Sequence, residues 1–130
     1  RSRTARDDRA VLTINRVSAV PEPLDPRAVT VIRFHEGMLD VYHRAKTEVH
    51  YNATRFLEMV GTLGGLAAAQ KLLASPTVSD GFGALWEAGR QDLTVEAVVL
   101  QPEFQVLFSE TELHTAAQRL GRQYHAPTVG

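Results

Sequence analysis

The stretch FSETELHTAAQRL, Phe108 to Leu120, decides the fold class. Ser109 stands where a helix N-cap stands, and Glu112 follows three residues later. That spacing lets the serine hydroxyl take the N3 backbone N–H while the glutamate reaches back to the cap's own N–H. Phe108 before the cap and Leu113 after it have the spacing of a hydrophobic staple. Leu113, Ala116, Ala117 and Leu120 then fall on one side of a helix. The spacing predicts a helix that weakens at Gly121.

The same signature recurs upstream. Leu93-Thr94 with Val98 repeats the staple around a threonine cap, and Tyr51-Asn52 with Phe56 repeats it around an asparagine cap. Ser79 or Asp80 opens SDGFGALWEAGR, which closes at Gly89, and Pro102 suits the first turn of a short PEFQVLF helix. Gly64-Gly65 ends the helix begun at Asn52, and LAAAQKLLA follows as a short helix stopped by Ser75-Pro76. Upstream, Phe34, Met38, Val41, Tyr42, Ala45 and Val49 recur at three- and four-residue steps. They predict a long helix beginning between Pro26 and Val29 and ending near His50. The expectation is an all-α domain, a compact bundle of five to seven short helices.

Residues 1–27 read differently, as an extended arm or the end of a preceding region, with the helical domain spanning 28–130. RSRTARDDRA is polar and arginine-rich. VLTINRVSAV alternates in the manner of one short strand. PEPLDP carries three prolines in six residues, which fix φ and remove backbone donors. The first residue is Arg1, which suggests a piece of a longer polypeptide. The first thirty residues hold six arginines against four acids, while the remainder holds eight basic and eleven acidic residues. Phosphate binding needs clustered positive charge. Only the arm, through Arg1, Arg3, Arg6 and Arg9, offers it as a nucleic-acid contact.

At 130 residues, 44% hydrophobic and 22% charged, the chain fits one globular domain. No apolar run approaches the roughly 20 residues of a membrane span. There is no cysteine, so disulfides and thiolate metal sites are excluded. The absence of cysteine and of a signal-peptide pattern points to a cytoplasmic location.

Candidate chemistry concentrates between His35 and Arg55. His43 and His50, seven apart, share a stripe of the long helix, and His35 lies about 80° away. His35 and His43 stand eight apart, so the metalloprotease spacing of His at i and i+4 is not met. Glu36, Asp40 and His43 share a face, and with Arg55 from the next helix they are the best catalytic set available. One helix rarely closes a metal site, and the bland reading is a solvated face. Ser75, Ser79 and Ser109 stand at caps or turns, and no G-x-S-x-G, phosphate-loop or dinucleotide motif is present. No catalytic residue, metal or cofactor is therefore assigned. Residues 66–89 are long enough for a helix-turn-helix. Its second helix, however, carries Asp80 and Glu87 and no basic residue before Arg90, which argues against reading DNA. Phe82 and Trp86, four apart, read as core anchors. Asn52-Ala53-Thr54 fits a glycosylation sequon, but the capping role of Asn52 is the simpler reading.

YNATRFLEMV, VSDGFGALWEAGRQDLTVEAVVL and LFSETELHTAAQRL together resemble a family of small helical bacterial domains, over roughly Phe34 to Gly121. The resemblance implies a domain that stands alone or is fused to larger proteins, some linked to restriction or other defence; it implies no catalytic residues. The leading expectation is a non-enzymatic accessory module of a bacterial DNA-processing or defence protein, one that binds a protein partner or a second copy, with His43, His50 and Arg55 as surface contacts. A nucleic-acid-binding domain using the arm is the first alternative, and a small helical enzyme the second.

Overall fold

The computed structural model describes residues 25–122. The expected strand and the arginines at 1, 3, 6 and 9 lie outside the described residues. The order is α1 (Pro26–Glu48), α2 (Thr54–Leu63), α3 (Gly65–Ala74), α4 (Asp80–Glu87), a 3-10 turn (Gln91–Leu93), α5 (Val95–Val99), a second 3-10 segment (Pro102–Leu107) and α6 (Glu110–Arg119). The all-α bundle is as the sequence predicts, except that α1, at 23 residues, is not short.

Helix α1 is the spine. Its buried stripe is Phe34, Met38, Val41, Tyr42 and Ala45, and it packs on α3, α2, α5 and the Pro102–Leu107 segment. Phe34, fully buried, meets Phe104 and Phe108 edge-on with both centroids 5.2 Å away. That is a favoured aromatic arrangement, and it fixes the chain leading into α6 against the start of α1. Pro26 occupies the first turn of α1, where its missing N–H has no partner to lose.

Three of the four caps fall where the sequence puts them. The Ser79, Thr94 and Ser109 side chains accept from the N–H groups of Phe82, Ala97 and Glu112. Glu112 completes the capping box by accepting from Ser109 N–H at 2.9 Å. Leu93 and Val98, and Phe108 and Leu113, are buried at their staple positions. Gly89 and Gly121, both at φ 73°, let the N–H groups of Arg90 and Arg122 return to the carbonyls of Leu85 and Ala117. Those are Schellman closures, so Gly121 terminates α6 cleanly instead of merely weakening it.

The fourth cap is a correction. Helix α2 starts at Thr54 after Ala53, and its N-cap position makes no side-chain hydrogen bond. The Oδ1 of Asn52 is already engaged, accepting from the Tyr42 hydroxyl at 2.9 Å. With the cap moved to Ala53, the Tyr51–Phe56 pair loses its staple register. Both rings still pack on the core. The asparagine therefore ties the α1–α2 loop to α1. Asn52→Ala and Tyr42→Phe are each expected to cost about 1 kcal/mol. The double variant should cost little more than either alone, which a double-mutant cycle in urea measures. Additive losses would mean the hydroxyl and the amide act separately.

Trp86 is a second correction. It stacks on Phe82 with centroids 5.5 Å apart, but only Phe82 is buried; the indole is 41% exposed.

Candidate functional site

A cavity of about 390 Å³ opens between the C-terminal half of α1, the α1–α2 loop, α2, α4 and the start of α5. Its walls are largely apolar, with Phe56, Met59, Leu72, Phe82 and Leu85 among them. The α1–α2 connection shapes one side. His50 takes φ 59°, unusual for a side chain other than glycine. This lets Tyr51 N–H donate to the Ala45 carbonyl at 3.0 Å and turns the chain sharply off α1. The Tyr51 ring then lies over α4, close enough that a Cβ at Gly81 would sit 3.6 Å from it.

Most polar side chains in the wall are committed to the fold. Tyr42 and Asn52 bond each other. Ser79 and Thr94 are caps, and Thr94 also donates to the Gln91 carbonyl at 2.7 Å. Arg55 and Asp80 line the cavity from exposed positions. Glu96 also lines it but is only 3% exposed. Its Oε2 accepts from Arg119 Nη1 at 3.1 Å. The same guanidinium donates to the carbonyls of Leu72 at 3.0 Å and Ser75 at 2.6 Å, closing the C-terminal end of α3. A positive charge at a helix C-terminus is favourable, so Arg119 joins α3, α5 and α6 with one side chain.

Of the expected surface contacts His43, His50 and Arg55, only Arg55 lines the cavity. His43 is exposed on α1, edge-on to the Tyr42 ring at 5.2 Å. His50 is exposed at the turn outside the lining. Glu36 and Asp40 lie on α1 outside the lining, and among the described residues no three His, Cys, Asp or Glu side chains gather into a metal-binding group. Of Glu36, Asp40, His43 and Arg55, only Arg55 lines the cavity. His35 serves the fold instead. Its Nδ1 accepts the first N–H of α3, from Gly65, at 2.9 Å.

A second polar cluster braces the far end of α1. Arg90 donates to both oxygens of Asp92 at 3.0 Å and pairs with Glu48 at 2.8 Å, while Arg44 bonds Glu48 at 2.9 Å. Hydrogen bonds from Arg44 and then Arg90 hold the Glu48 carboxyl below its ordinary range. A hydrogen bond from Arg90 does the same for Asp92. These bonds tie the α4–α5 connection to α1 at the surface.

Compared with known proteins, the chain matches no family model, no curated protein and no solved structure. Among the described residues no helix is long and apolar enough to cross a membrane.

Proposed function

We propose that this chain is a non-enzymatic protein-interaction module that seats an apolar side chain of a partner in the cavity bounded by α1, α2, α4 and α5. The observation that carries this is the cavity itself. At about 390 Å³ it is concave and apolar-walled, within the size range of specific binding sites. Binding hot spots are commonly bulky side chains buried in such pockets. Half-exposed Trp86 belongs to α4, whose Phe82 and Leu85 line the cavity, and offers apolar surface on the same helix. Arg55 supplies a cation from an exposed position in the lining. In keeping with the resemblance drawn from the sequence, the partner belongs to a bacterial DNA-processing or defence protein.

The test is selection of displayed peptides on the immobilised full chain, followed by a Met59→Trp variant that fills the cavity. Selected peptides are expected to share one bulky apolar residue and to lose binding to the variant, whose helical circular dichroism is unchanged. Equal binding to both proteins, or no enrichment, would overturn the proposal.

A further inference from the structure

The polar atoms of the cavity wall narrow down what enters it. Tyr42, Asn52, Ser79 and Thr94 already make internal hydrogen bonds. Of the other polar side chains in the wall, Tyr51, Thr54, Arg55, Asp80 and Glu96, only Glu96 is buried. Its Oε2 is taken by Arg119, and its Oε1 accepts from no donor among the described residues. A buried carboxylate oxygen without a donor is costly, because both its lone pairs have left water. The charge itself is already balanced by Arg119 at 3.1 Å. The free oxygen therefore suits a neutral donor better than a second cation. Around it the walls are apolar and include aromatic and thioether groups, Phe56, Phe82 and Met59, which suit an aromatic ring.

We infer that the side chain seated in the cavity is a tyrosine or tryptophan of the partner, whose O–H or N–H donates to Oε1 of Glu96. This rests on the cavity being the partner's seat. Tyrosine and tryptophan combine a large apolar body with a donor at the tip that needs a partner when buried. Phenylalanine fills the same space and leaves the Glu96 oxygen unpaired. A serine or lysine supplies a donor without the ring.

The inference is tested with fragments that separate ring from donor. The full chain is titrated with p-cresol and with toluene while backbone amide shifts are followed by nuclear magnetic resonance. Both are expected to move the amides of Phe82, Val95 and Glu96, and p-cresol is expected to bind about tenfold more tightly. In a cavity without a free acceptor the order reverses, because the phenol hydroxyl is desolvated for nothing. Toluene binding at these amides with no preference for p-cresol overturns the inference and leaves the apolar seat standing. If neither fragment moves them, the seat itself is wrong and both proposals fall.

A variant adds a second measurement. Glu96→Leu combined with Arg119→Met removes acceptor and cation together, so no buried charge is left alone. It is expected to keep toluene binding and lose the p-cresol preference. Preserved preference in that variant overturns the role of Glu96.

Discussion

Arg119→Ala is expected to destabilise the domain by about 3–5 kcal/mol, measured as a lower urea midpoint at unchanged slope. The size follows from what is left behind. The guanidinium is 11% exposed and Glu96 only 3%. Removing the arginine strands a carboxylate in the interior and uncovers the Leu72 and Ser75 carbonyls at the end of α3. An exposed pair contributes at most about 1 kcal/mol, so burial decides the magnitude. Domains of this size are stable by roughly 5–15 kcal/mol; the loss is therefore a large part of the whole. Arg119→Lys should recover only part of it, since one ammonium cannot reproduce the planar fork that reaches three acceptors. The double change Glu96→Leu, Arg119→Met should recover more than the lysine does, because neither charge remains alone. A cost below about 1 kcal/mol for Arg119→Ala would show that water reaches the pair.

No local pattern announces this interaction. Arg119 reads as an ordinary basic residue in a last helical turn, and Glu96 as an ordinary acid in a first one. They are 23 residues apart, and the carbonyls Arg119 covers are 44 and 47 residues away. What is legible is local in kind. Ser79, Thr94 and Ser109 cap because their partners lie three residues on, within one helical turn. The stripe from Phe34 to Ala45 is legible because it repeats at the helical period. Asn52 misleads for the complementary reason. Its side chain has a local use as a cap and a distant use with Tyr42, and the distant use prevails. Trp86 shows the limit of periodicity, which puts it on the face of Phe82 without saying that the face ends there. The cavity draws its wall from helices separated along the chain, so of the expected surface contacts only Arg55 lies in it. The all-α class is thus readable from caps and periodicity, and the candidate site is not.

Gly64-Gly65 reads in sequence as a break, yet the two glycines do different things. Gly64 takes φ 87° and ends α2. Gly65 has no such backbone requirement and starts α3 at once. Its role is proximity: a Cβ there would lie 2.7 Å from the Cα of His35 in α1. Real Cβ atoms do not come so close to backbone, so either helix must move. Ala68 and Ala69, both fully buried one turn on, show that α3 presents small residues along this face. His35 Nδ1 bonds Gly65 N–H at 2.9 Å, a distance that holds only while the helices stay close. Gly65→Ala is therefore expected to cost about 1–3 kcal/mol, and Gly65→Val about 3 kcal/mol or more, as overpacking against backbone. Helix propensity acts the other way, favouring alanine over glycine by about 1 kcal/mol inside a helix. Gly61 separates the two effects. It sits inside α2 with nothing within 4 Å of an added Cβ, so Gly61→Ala should stabilise by up to about 1 kcal/mol. Opposite shifts in melting temperature for the same substitution at these two neighbouring glycines are the expected result. Amide exchange at residue 65 should accelerate in Gly65→Ala and stay slow in Gly61→Ala. If Gly65→Ala also stabilises, α1 and α3 are not in the close contact that orders the rest of the bundle.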